Sequence, residues 1–109
     1  MVSWAATAEM VAQRWTAGDV PTAYAHNTLT KGAQEARRAA AKLGQVPAAP
    51  VAREAEARYA ELAVRLARID AAIAKGDGRA AAGLAAGLPA IRLQLDRLQS
   101  RCQAREQAR

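Results

Sequence analysis

The segment Tyr59–Gly78, which reads YAELAVRLARIDAAIAKGDG, decides the fold. Its large apolar residues recur in alternating steps of three and four, a spacing that keeps them on one face of an α-helix. After Lys75, the sequence Gly-Asp-Gly supplies residues that end a helix and tolerate a reversal of the chain. The members of this first apolar ladder are Tyr59, Leu62, Leu66, Ile69 and Ile73.

A second apolar ladder follows the turn with the same spacing. Two amphipathic helices joined by a short turn bury their apolar faces against each other, so the segment predicts a long antiparallel hairpin with helices at about 50–75 and 79–107. Pro89 predicts either a kink near Leu88 or a short helix followed by a longer one, and the unbroken phase of the ladder favours the kink. The second ladder consists of Leu84, Leu88, Ile91, Leu95, Leu98 and Cys102.

Two helices are predicted before the hairpin. Ser3 can cap the first, which ends at Gly18, and Asp19 is a possible cap of the second, with Pro21 in its first turn. In the second helix, polar residues and Gly32 around its start predict a distorted or late beginning. The apolar ladders are Trp4, Ala8, Val11 and Trp15 in the first helix, and Leu29, Ala33, Ala36, Ala40 and Leu43 in the second.

The chain is predicted to be one helical domain over residues 1–109, because 109 residues suit a single core. Residues 44–50, with two prolines, form a linker between the two helix pairs. The predicted fold class is therefore all-α, a three- to four-helix antiparallel bundle dominated by the hairpin. On the exposed face of its first helix, Glu54 with Arg58 and Glu61 with Arg65 are spaced for ion pairs.

The supply of large apolar side chains is small. Alanine accounts for 31 residues and phenylalanine for none, so helix propensity is high while the apolar area available for burial is modest. Small domains with thin cores often depend on association. These features predict a non-enzymatic protein–protein interaction or assembly module that self-associates as a coiled-coil-like oligomer.

The charge distribution supports an alternative function. The net charge is +6, with 13 arginines, and the last helix repeats arginine every four residues up to Arg109. A guanidinium stripe of this kind is suited to phosphate or acidic surfaces, so the alternative is a small nucleic-acid-binding accessory protein. A GC-rich coding bias would enrich alanine and arginine without any such partner. The candidate contacts for a polyanion or protein partner are Arg92, Arg97, Arg101 and Arg105.

His26 is the one histidine, and no carboxylate lies three or four residues from it. The segment Ala25–Ala33, AHNTLTKGA, resembles the motif of histidine-phosphotransfer domains, small helical bundles with a phosphorylated histidine on the second helix. The resemblance implies phosphotransfer at His26. It departs from the family in that four residues rather than two separate the histidine from Lys31, which turns the lysine by about 200° around the helix.

Other classes of function lack a pattern in the sequence. No phosphate-binding loop, nucleophile with a neighbouring base, or metal-ligand cluster is present, so catalytic, cofactor and metal sites are predicted to be absent. The single cysteine and the lack of a leader at Met1 favour a cytoplasmic location. The longest apolar run, 80–91, is too short to span a membrane.

Overall fold

The computed structural model describes residues 3–47 and 49–107, with their side chains up to residue 101. The helices in chain order are α1 (Trp4–Thr16), α2 (Thr22–Gly44), α3 (Pro50–Ala74), α4 (Gly78–Ala85) and α5 (Leu88–Gln107). The described residues form no strand, and the helices pack against one another. The predicted all-α bundle is confirmed.

The helix boundaries follow from local chemistry. Ser3 accepts a hydrogen bond from the Ala6 amide and caps α1, as predicted. Asp77 caps α4 through the Ala80 amide at 3.0 Å. Gly18 and Gly76, which follow α1 and α3, adopt φ values of 81° and 71°, a region that favours glycine. The N-cap residue of α2 is Pro21, which makes no side-chain capping hydrogen bond. The prediction of Asp19 as a possible cap is therefore wrong.

Helices α1, α2 and α3 alternate in direction around a ring, and α4 and α5 together complete it by running opposite to α3. His26 near the start of α2 meets Asp70 near the end of α3, and Glu54 near the start of α3 meets Arg101 on α5. Helix α1 packs against α2 on one side and against α4 and α5 on the other. The bundle is therefore up-down-up-down, with α4 and α5 together in the place of a fourth helix, and it measures 49 × 21 × 20 Å.

The most extensive helix pair is α2 with α3 rather than the predicted hairpin of α3 with the C-terminal helices. The reason lies in the small side chains of α2. Ala33 and Ala36 are buried and let the two axes approach along most of their length. The guanidinium of Arg53 ties the linker to this pair by donating to the carbonyl oxygens of Leu43 and Val46.

Helix α2 begins at Thr22 and continues without interruption through Gly32, so the predicted distorted or late start is wrong. Gly32 is tolerated in the helix because Trp4 and Leu66 occupy the space that a side chain at this position would need. A Cβ atom at position 32 would lie 2.9 Å from Cε3 of Trp4 and 3.1 Å from Cδ1 of Leu66. The loss of helix propensity at glycine is offset by the seating of an indole against the backbone of α2.

The predicted continuous helix with a kink near Leu88 is wrong, and the chain forms a short helix followed by a longer one. Helix α4 ends at Ala85 and α5 begins at Leu88. Arg65 of α3 reaches into this break and donates from Nη1 to the carbonyl oxygen of Leu84 at 3.1 Å. Gly87 leaves room for the guanidinium, since a Cβ there would lie 2.5 Å from the same nitrogen.

The core is continuous but built from small side chains. Eleven of the twenty buried hydrophobic residues described are alanines. Trp4, Trp15 and Tyr59 pack against the core from its edge and remain partly exposed. The second predicted ladder packs in or against the core from Leu84 to Leu98, with Leu84 and Leu95 partly buried, whereas the side chain of Cys102 lies outside the described residues. The large core residues are Val11, Leu29, Leu62, Leu66, Ile69, Ile73, Leu88, Ile91 and Leu98.

Gly32→Ala is expected to lower the free energy of unfolding by about 1–2 kcal/mol, because overpacking against Trp4 and Leu66 outweighs the gain in helix propensity. Gly83→Ala is the matched control. It lies inside α4 with nothing within 4 Å of the added methyl group, so it should raise stability by up to about 1 kcal/mol. Urea unfolding at one protein concentration measures both. Equal stabilities would contradict the packing of Trp4 on α2.

Candidate functional site

Among the predicted arginine contacts whose side chains are described, Arg92 lies on a different face of α5 from Arg97 and Arg101. Arg92 lines a groove beside Trp4 of α1 and Tyr59 of α3. Arg101 lies on the side of α5 that faces α3, 3.5 Å from Glu54 and 63% exposed. Arg97 is exposed, and the side chain of Arg105 lies outside the described part of the chain. A strand of nucleic acid along α5 would therefore meet Arg97 and Arg101 without Arg92, and nucleic-acid binding stays a prediction.

The ion pairs on α3 differ from those predicted by spacing. Arg58 pairs with Glu61 at 2.9 Å and also donates to Gln94 of α5 at 3.3 Å. Arg65 is drawn to the break between α4 and α5. The expected pairs of Glu54 with Arg58 and Glu61 with Arg65 are thus replaced, because packing against α4 and α5 offers these arginines acceptors that an isolated helix lacks.

The outer face of α3 carries a regular row of exposed small apolar residues. Six small residues on this face recur in alternating steps of three and four, and all are exposed. Val64 at their centre is 52% exposed. The spacing matches the a and d positions of a coiled coil, which face a partner helix. We call this surface the alanine seam, and it consists of Ala57, Ala60, Val64, Ala67, Ala71 and Ala74.

A shallow open groove of about 490 Å³ extends from α2 across the seam, which lines it at Ala60, Val64, Ala67 and Ala71. Its floor contains Ala40 and the buried Ala63, and its edges are Arg37 and Arg68. The side chains along the groove are short, so a second helix could approach the backbone of α3 closely.

Charges along the edge of the seam that faces α4 and α5 are divided by sign. Glu54 and Glu61 lie in the N-terminal half of α3, whereas Arg68 and Lys75 lie in the C-terminal half. These four residues are spaced seven apart, so they form one row next to the seam. Their order gives the row opposite charges at its two ends.

The seam could have been found from the sequence. Its members repeat with the same three-and-four spacing as the core ladder of α3, offset by about half a turn of the helix. Five of its six residues are alanines, which form helices readily but have little apolar area to bury. Only the packed structure shows which of the two faces stays in solvent.

His26 and Asp70 form a second polar constellation that the sequence did not reveal. The Nδ1 atom of His26 lies 2.8 Å and 3.0 Å from the two carboxylate oxygens of Asp70. The residues are 44 positions apart and meet because α2 and α3 are antiparallel. In the Lys31-Gly32 pair, Gly32 is buried under Trp4, whereas Lys31 is exposed.

Among the described residues, no group of three or more histidine, cysteine, aspartate or glutamate side chains is placed to hold a metal ion. In the same part of the chain, none of the helices combines the length and the apolar character needed to cross a membrane. Comparison with protein-family models, curated proteins and solved structures finds no significant match for the chain.

The contact of His26 with Asp70 is expected to contribute about 0.2–1 kcal/mol, because the histidine is 57% exposed and water screens the interaction. A double-mutant cycle with His26→Ala and Asp70→Ala, measured by urea unfolding, gives the coupling energy. The pair Arg38 and Glu35, which lies within α2 at 3.1 Å, provides a local control. A coupling of several kcal/mol would contradict the exposed geometry.

Proposed function

We propose that this protein is a helical self-assembly module, in which the alanine seam of α3 binds the same seam of a second copy. The observation that supports the proposal is the exposure of a regular heptad ladder, centred on Val64, on a face opposite the core ladder of the same helix. A solvated face of a helix usually carries charged residues, whereas this one is apolar along about 26 Å from Ala57 to Ala74.

The composition of the core is consistent with this proposal. A domain whose buried side chains are mostly alanine gains little from burial within one chain. Pairing of two α3 helices removes further apolar surface from water at a distance that alanine permits. Association of this kind is common where a small core leaves stability low.

The charged row beside the seam favours an antiparallel pair. When two α3 helices cross the seam in opposite directions, Glu61 of one copy lies opposite Arg68 of the other, and Glu54 lies opposite Lys75. Charged residues flanking an apolar ladder commonly set the orientation of paired helices. The ion pairs that Glu54 and Glu61 make within the chain are exposed and weak, so they do not prevent these carboxylates from accepting a second partner.

Val64→Lys is expected to convert the assembly to monomers at concentrations where the unmodified protein associates, because it places a charge from each copy inside the seam. The position is 52% exposed, so the fold should survive the change. Leu93→Lys is the matched control, since Leu93 is 50% exposed on α5 and lies away from the seam. Light scattering over a range of concentrations measures the mass. A parent protein that is monomeric throughout, or equal effects of the two variants, would contradict the proposal.

The antiparallel register is tested by mixing two charge variants. Glu61→Arg and Arg68→Glu should each weaken self-association by about tenfold, because each places like charges opposite one another. An equimolar mixture should regain association, since every contact across the mixed pair then joins opposite charges. Arg97→Glu on α5 controls for net charge. A mixture that associates no better than the single variants would reject this register. Whether the seam is the interface would still be decided by the Val64→Lys variant.

A further inference from the structure

We propose that the groove at the N-terminal end of α1 binds a small zwitterion with an apolar body, such as an α-amino acid with a large apolar side chain. In the described part of the chain, the groove lies where α1 begins at Trp4, and residues of α1, α2, α3 and α5 line it. The resulting space of about 300 Å³ is at the lower end of the range for small-molecule sites.

The floor of the groove is apolar and partly aromatic. Trp4 and Tyr59 line it together with Leu62 and Leu95. The indole of Trp4 packs against Gly32 of α2, and this contact places it in the groove. Such a floor suits an aliphatic or aromatic group of a ligand.

Opposite charges line the rim. Arg92 and Asp96 stand one turn apart on α5 and both line the groove, yet among the described side chains neither makes an ion pair. The first turn of α1 contains no acidic residue and opens onto the same space. A carboxylate at Arg92 near this helix end and an ammonium group at Asp96 would each meet an available opposite charge.

Glu35 adds a second carboxylate on the α2 side of the groove, but it already pairs with Arg38 at 3.1 Å. The charges left for a ligand are therefore one of each sign. That balance favours a zwitterion over a simple cation or anion. The groove lies on the side of α3 opposite the alanine seam, so ligand binding here is independent of self-assembly.

Three probes with the same phenyl body separate the roles of the two charges: L-phenylalanine, phenethylamine without the carboxylate, and 3-phenylpropanoate without the ammonium group. L-Phenylalanine should bind at least about tenfold more tightly than either analogue. Titration calorimetry on the unmodified protein measures affinity. Fluorescence in a Trp15→Phe background, where Trp4 is the one remaining tryptophan, locates the site.

Arg92→Gln should abolish the preference for L-phenylalanine over phenethylamine, and Asp96→Asn should abolish its preference over 3-phenylpropanoate. Both residues are exposed, so neither change should disturb folding. Arg97→Gln, on the same helix but outside the groove, should leave all affinities unchanged. Absence of binding at millimolar L-phenylalanine, equal binding of the three probes, or equal effects of the Arg92 and Arg97 variants would overturn the proposal.

Discussion

The contact of the Trp4 indole with the backbone of α2 at Gly32 supports the rest of the bundle. It joins α1 to α2, and Leu66 of α3 touches the same position, so three helices meet where one side chain is absent. In a chain with 31 alanines and no phenylalanine, a tryptophan supplies a large share of the available apolar surface. The same contact positions part of the floor of the groove at the end of α1, because it determines where the indole lies.

Close approach between helices is the other consequence of an alanine-rich interior. The pairing of α2 with α3 is extensive because small residues line it. Helices α4 and α5 contact α3 less, since they are two separate helices. Arg65 connects these features. Its guanidinium occupies the break and bonds to the carbonyl oxygen of Leu84, which has lost its place in a continuous helix near Pro89. A charged residue of α3 thus compensates for the interruption that the proline causes.

Helix α3 carries two ladders with one spacing and two different environments. The large residues at Leu62, Leu66, Ile69 and Ile73 are buried, whereas the small residues of the seam are in solvent. The proposed self-assembly uses the second ladder as an intermolecular counterpart of the first. Its flanking charges, acidic toward one end and basic toward the other, add direction to a surface whose apolar residues are nearly uniform.

The sequence by itself determined the helical class, the ends of α1 and α3, and the apolar ladders at Trp4–Trp15 and Leu62–Leu98 that form or border the core, because capping residues, glycines and apolar spacing act within a few residues of one another. It did not determine the uninterrupted course of α2, the break between α4 and α5, or the partners of His26, Arg65 and Arg101. Those features depend on residues far apart in the chain, as Gly32 depends on Trp4 and His26 on Asp70. The tertiary structure also decided which face of α3 remains in solvent, since two ladders with the same period compete for one core and the larger side chains gain more from burial.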